Sequence, residues 1–448
     1  MRKLGIILLA FTLLFGVVMV SAQDTVELTI ATVNNPDMVV MESFTSEFEA
    51  AHPGISLNWV VLPENELRDT VTTDVATGAN SFDVITVGMF DTPLFARNEW
   101  ILSMDDLFEQ YPDSVQPNYN LDDLLEGVRL GISYEDELYA LPFYGESSMI
   151  MYNTELFEAA GVEMPEQPTW DEIREIACTI HDPENETYGI VLRGLPGWGQ
   201  MMAPLTTVVN TYGGRWFDEN WEPQLTSPEW NEAVSFYIDL INECGQPGPT
   251  STGFVEALTL MSQGQAGMWI DATVAAGFLS DPNQSEIVDS LGFAPAPVGP
   301  VAKGNHWLWS WNLGIPSTSD HPAEALQFIS WATSVDYITL VGETNGWATI
   351  PPGTRISTYE NQDYLDAAPF ASTVLELMLS ADPTDSTRDP VPYVGVQFAG
   401  IPEFQGIGTD VSQFIAEAFV GDVTVEEALE RANDATRDAM EEAGYYDD

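Results

Sequence analysis

Between Val26 and Val87 the apolar residues alternate between the period of a strand and the period of a helix, and few folds accept that order. Val26-Glu27-Leu28-Thr29-Ile30-Ala31-Thr32-Val33 alternates as a strand does. Asn34-Asn35-Pro36-Asp37 breaks the strand, and an amphipathic helix is expected over 38–51. Pro53-Gly54 stops that helix ahead of a second strand over 55–62. A helix over 64–77 should end at Gly78, and 81–87 supplies a third strand. Strands alternating with helices predict a mostly parallel sheet covered on both faces. Ligands of such sheets bind beyond the carboxyl ends of the strands. Asn34, Asn35, Glu64 and the turn from Gly88 to Asp91 are therefore candidate lining.

The later chain repeats the theme. A strand over 137–144 leaves the first unit and passes through Gly145-Glu146-Ser147-Ser148 into Met149-Ile150-Met151-Tyr152-Asn153. Helices are expected over 169–180, 228–244 and 254–263, with 268–271 a short strand ahead of another helix. The helix over 322–334 and a closing amphipathic helix over 425–443 complete the order, with no repeat or low-complexity linker. A chain of 448 residues exceeds what one hydrophobic core organises. Two lobes joined by more than one crossing fit this order better than two beads on a string.

Met1-Arg2-Lys3, an apolar run from Leu4 to Val20 and the small-residue end Val20-Ser21-Ala22 describe a secretory signal peptide over 1–22. An uncleaved anchor is the alternative, though the run is short for one. No cysteine near the cleavage site offers a lipid attachment point. No later segment is long and apolar enough to span a bilayer, so no membrane insertion is expected after cleavage, and the protein is expected periplasmic or extracellular and associated with the cell envelope. The chain carries 13 Lys and Arg against 70 Asp and Glu, a net charge of −57. Losing Arg2 and Lys3 with the leader takes this to −59, and Lys303 becomes the lone lysine. Such a field repels nucleic acid and anionic lipid and disfavours an anionic substrate. A solvated acidic surface suited to a salty medium accounts for it, since salt screens the repulsion within ångströms.

Cys178 and Cys244 are the two cysteines, each near the end of an expected helix. In an exported chain they permit a disulfide; two unpaired buried thiols are the other reading. His52, His181, His306 and His321 are scattered, so no zinc site is expected, and no cofactor is called for.

Trp307, Trp309 and Trp311 stand at every second position of His306-Trp307-Leu308-Trp309-Ser310-Trp311-Asn312. In an extended chain all three face one way. An indole offers a flat apolar face and one N–H donor, which suits stacking on the C–H face of a sugar or polyol. A Trp-rich core strand is the competing reading. Three more segments join aromatic faces to sparse polar groups: Tyr144-Gly145-Glu146, Arg193-Gly194-Leu195-Pro196-Gly197-Trp198-Gly199, and Trp269-Ile270-Asp271. Polyhydroxyl ligands need carboxylates, guanidinium groups and amides in the plane of their hydroxyls. Glu146 and Asp271 could each accept two hydroxyls, with Arg193 and Arg388 as donors. A salt bridge is the alternative for each arginine, and a helix N-cap the alternative for Asp271. The glycines at 194, 197 and 199 lack phosphate-loop spacing, and no Gly-x-Ser-x-Gly elbow or nucleophile–histidine pairing is legible.

At these residues the chain resembles the extracellular solute-binding proteins of ABC-type carbohydrate importers, the maltose-binding-protein-like group, and within it the sorbitol/mannitol-binding branch. The matching stretches include ATVNNPDM at 31–38, RDTVTTDVATG at 68–78, PFYGESSMIMYN at 142–153 and RGLPGWGQ at 193–200. They continue with GGRWFDENWEPQ at 213–224, GMWIDATVAAG at 267–277, HWLWSWNLGIP at 306–316, GWATIPPGT at 346–354 and DPVPYVGVQFAGIPEFQG at 389–406. The resemblance implies a two-lobed α/β fold of the periplasmic-binding-protein type (type II), with the ligand cleft between the lobes. The first lobe would take 24–141 with 303–358, the second 142–302 with 359–448. It implies that Asn34, Asn35 and Glu64 face the cleft from lobe one. Glu146, Arg193, Trp198 and Asp271 would approach from lobe two, with Tyr393 in a late segment that also approaches the cleft. Trp309 and Trp311 would sit near the crossing as the stacking surfaces, with Trp307 packed. Phe90-Asp91 departs from the expected pairing of an aromatic with an acid of different size.

The function so implied is capture of a sugar alcohol or small sugar by lobe closure, as a monomer, with delivery to ABC transporter permease subunits. Two other classes compete: a secreted glycoside hydrolase with Glu146 and Asp271 as its carboxylate pair, and an acidic envelope protein with no small ligand.

Overall fold

The computed structural model describes residues 25–446; the expected signal peptide lies outside the described residues. Nine strands build two sheets: β1 Val26–Val33, β2 Ile55–Leu62, β3 Val84–Gly88, β4 Leu141–Glu146, β5 Ser148–Asn153, β6 Tyr188–Val191, β7 Ala266–Ala272, β8 Leu291–Pro295 and β9 Trp309–Gly314. The first sheet runs β2-β1-β3-β9-β4 and the second β8-β5-β7-β6. Two separate lobes result, each a sheet flanked by helices. Strands β3, β7 and β9 are buried along their whole length, as strands covered on both faces must be.

Both sheets are mixed, where the alternation predicts mostly parallel ones. β1 pairs parallel with β2 and β3, but β9 runs antiparallel to both β3 and β4. The physical reason is the connection: β9 re-enters the first sheet from the second lobe rather than through a helical crossover from β3, so nothing imposes the parallel direction. The chain first passes between the sheets at Ser147, with β4 in the first and β5 in the second. That point lies beyond the border expected at 141/142.

Five helices shape the cleft, its seam and its scaffold: α1 Pro36–Ser43, α2 Glu64–Thr77, α3 Trp170–Ile180, α4 Pro228–Cys244 and α5 Ala275–Leu279. α2 ends as expected, with Gly78 left-handed (φ 64°) and its N–H on the Asp74 carbonyl. α3 opens on a capping box between Thr169 and Glu172. The helix expected over 38–51 is instead two, Pro36–Ser43 and Thr45–Ala51, broken at Phe44. Phe44 packs edge-on against Tyr337, 5.9 Å away, a tertiary contact that local periodicity does not contain. Cys178 and Cys244 are disulfide-bonded and join α3 to α4, on the second lobe. No helix among the described residues is long and apolar enough to cross a membrane.

Candidate ligand cleft between the lobes

Antiparallel pairing fixes one wall. Trp309 lies opposite Glu146 and Trp311 opposite Tyr144, so alternation turns all four side chains to the same face at one end of the first sheet. Just ahead of β9, Trp307 faces the same cavity. Leu308 points the other way, into an apolar groove that it shares with Phe398. Gln397 secures this wall by donating to the Leu308 carbonyl at 3.0 Å.

The facing walls come from helix spacing and a tight loop. Glu64 and Arg68 sit one turn apart on α2 and therefore share a face. Arg68 donates to Glu64 at 3.1 and 2.9 Å and to Asp91 at 2.8 Å. Its guanidinium lies 4.3 Å from the Trp198 ring and 4.7 Å from that of Trp311, a cation held among indole faces. On the second lobe Arg193 grips Asp271 with two N–H donors and reaches the Gly199 carbonyl at 2.9 Å. Gly199 is required where it stands: a Cβ there would fall on the Glu64 carboxylate of the opposite lobe.

These contacts describe a closed pair of lobes. The Gln200 amide donates to Glu64 at 2.9 Å and Asn65 donates to the Pro196 carbonyl at 3.0 Å, both across the cleft. Between the lobes lies a small cavity of about 40 Å³, lined by Trp307, Trp309, Trp311, Trp198, Glu146 and Gln397 among others.

Several polar groups in the lining have no partner among the described residues. The indole N–H groups of Trp198 and Trp307 are buried without an acceptor, and the Gln397 Oε1 without a donor. Asn35 donates to the Tyr144 hydroxyl at 2.9 Å, which fixes the phenol at the cavity edge. Burial pushes the Glu146 carboxyl well above the usual range; Arg193 opposes this, while Asp271, Glu64 and Asp37 reinforce it. Burial likewise raises Asp91, with Arg68 opposing. Burial pulls Arg193 down, but the charge and hydrogen bonds of Asp271 override it, so the arginine stays cationic.

The structure brings together Asn35, Glu64, Tyr144, Glu146, Arg193, Trp198, Trp309 and Trp311 around this cavity. It corrects other expectations. Trp307 lines the cavity instead of merely packing, because alternation carries past the strand's first residue. Asn34 is exposed, with its backbone N–H on the Leu62 carbonyl. Asp271 is fully buried, and its carboxylate is taken by Arg193, the Trp269 indole at 3.0 Å and the Ala272 N–H at 2.6 Å. It neither caps a helix nor faces the ligand space; it holds Arg193. Trp269 is a core residue behind that pair. Asp91 stands behind Arg68 in the same way. Arg388 is a surface residue paired with Glu229 and Asp389. Tyr393 is buried away from the cavity, its hydroxyl accepting from the Trp216 backbone N–H. Sequence reasoning missed Arg68, Phe254 and Gln397. The four-residue spacing of Glu64 and Arg68 was the available signal for the first.

Residues 35–338 match the family model described as bacterial extracellular solute-binding protein, well over half of the chain. The chain belongs to this family. It is 46% identical over 424 residues to a mannitol-binding protein of Pseudomonas aeruginosa, covering 95% of each chain. The crystal structure of an ABC transporter solute-binding protein from Agrobacterium vitis with bound D-mannitol superimposes with a TM-score of 0.91 at 50% identity, covering 94% of this chain and 99% of that one. A ribitol complex from Agrobacterium radiobacter, 23% identical with a TM-score of 0.80 over 93% of this chain and 99% of that one, shares the fold. Members of the family bind solutes and do not turn them over. The hydrolase reading also loses its chemistry, since the Asp271 carboxylate is spent on Arg193.

Proposed function

We propose that this protein captures a linear sugar alcohol, a hexitol of the mannitol type, and hands it to the permease subunits of an ABC importer. The observation that carries the reading is the unpartnered polar set inside the aromatic cavity. Each hydroxyl of a polyol both donates and accepts. The Trp198 and Trp307 N–H groups supply donors, the Gln397 oxygen an acceptor, and the Glu146 carboxyl can accept from two hydroxyls. Indole faces cover the carbons between them. The likeness to a mannitol-binding protein and to a mannitol complex supports the same class.

Closure supplies the affinity. The lobe built on the first sheet presents Glu64, Trp309 and Trp311; the lobe built on the second presents Arg193 and Trp198. β4 adds Tyr144 and Glu146 at the crossing. A ligand touching both sides selects the closed state and excludes water from its own hydrogen bonds. A hexitol has about 12 heavy atoms, and at roughly 0.7 kcal/mol each this gives micromolar binding. Asp271 and Asp91 act as positioning residues that hold the two arginines. A leader over 1–22 would export the chain to the periplasm or cell exterior, where such capture takes place.

A thermal-shift screen of mannitol, sorbitol, ribitol, glucose and maltose, with product analysis of each mixture, tests this. A saturable shift with an acyclic polyol and unchanged ligand is the expected result. Product formation, or a shift only with maltose, would overturn it.

A further inference from the structure

A second cavity lies between the lobes, and the proposed capture does not use it. It is lined by Asp37 on α1, by Val274, Gly277 and Phe278 at and beside α5 of the second lobe, by Ala348, Thr349 and Ile350, and by Tyr364. Asp37 is only 3% exposed, and its Oδ2 meets no hydrogen-bond partner among the described residues. The hydroxyls of Tyr337 and Tyr364 are also buried without partners. An unpaired buried carboxylate costs several kcal/mol, and a site without a counter-ion resolves this by holding the acid neutral.

We propose that Asp37 is a proton-linked latch on lobe closure, neutral when the seam between α1 and α5 is shut and ionised when the seam opens to water. Tyr364, on the helix Gln362–Ala367, lines the same cavity, and Tyr144 and Glu146 on β4 and Tyr337 on the helix Val335–Asn345 lie near enough to feel its charge. None is a cation. The α5 side and the segment 348–350 contribute no titratable group to the cavity. Burial accordingly drives the Asp37 carboxyl well above its ordinary value, with only its own backbone N–H opposing.

The closed form binds the proton more tightly than the open form, so acid favours closure. The advantage is complete below the open-form pKa and is lost as pH rises through the higher closed-form value. For one proton, the ratio of closed to open protein changes by up to about tenfold per pH unit across that window. Since closure retains solute, the latch regulates the capture proposed above and rests on that reading for its purpose, though not for its detection.

Small-angle scattering of the ligand-free full chain between about pH 5 and pH 8 tests it. The radius of gyration should decrease as pH is lowered in the wild type, and Asp37→Asn should clearly weaken that response, with Asp37→Ser standing in if that variant does not fold. No response in the wild type, or an unchanged response in the Asp37 variants, would each overturn the latch. Calorimetric titration with D-mannitol separates the two ideas: absent heat sinks the polyol reading and leaves the scattering result standing on its own.

Discussion

Glu64 and Gln200 tie the two lobes together through one buried hydrogen bond, the amide donating at 2.9 Å across the cleft. The other Glu64 oxygen takes Arg68, so the carboxylate is fixed before Gln200 arrives. Preorganisation of this kind holds a closed state rather than steering an encounter. Replacing Gln200 by Ala should remove a hydrogen bond to a charged group, about 1.5 kcal/mol or roughly tenfold. Stopped-flow tryptophan fluorescence should place that loss in the dissociation rate. A slowed association at unchanged dissociation would contradict it.

Asp271→Ala should act through stability. It leaves Arg193 cationic and buried without its partner, a change that costs about 3–5 kcal/mol. The melting temperature should fall sharply, and polyol affinity with it, because the guanidinium loses its orientation. A variant that keeps its melting temperature yet loses affinity would mean that the carboxylate touches the ligand directly.

Trp307→Phe separates two roles of one side chain. The indole N–H has no acceptor among the described residues, so losing it removes an unsatisfied donor. Thermal stability without ligand should hold or rise slightly. Affinity should fall about fivefold to tenfold, the value of one hydrogen bond near 1 kcal/mol. An unchanged dissociation constant would return Trp307 to the role of packing.

Glu146→Gln carries a pH signature. The folded-state pKa of Glu146 lies above its unfolded value, which is near 4.5. Its favourable contribution is therefore full below that value and is lost as pH rises through the raised folded one, at most about 1.4 kcal/mol per pH unit. The glutamine variant should melt above the wild type near neutral pH, and the gap should close on acidification. Parallel melting curves at every pH would show that burial does not govern this carboxyl.

Much of the fold was legible because its signals are local. Alternation marked β1 and β2, and Pro228–Cys244 was readable from its periodicity and its proline start. What was not legible depends on partners distant in the chain. Phe44 breaks a helix because it packs on Tyr337, and β9 reverses because it returns from the other lobe. The site divides in the same way. Residue type alone marked Trp309, Trp311, Glu146 and Arg193. Asp271 was taken for a ligand group because a sequence does not display that its carboxylate is already bound. Arg68 was passed over although it stands one helical turn from Glu64.

Isothermal calorimetry of D-mannitol against the mature protein bears hardest on polyol capture. One saturable site per chain, micromolar affinity, and weaker binding of glucose and maltose are the expected results. Titrations showing no saturable heat with any acyclic polyol, together with clear binding of a disaccharide, would contradict it.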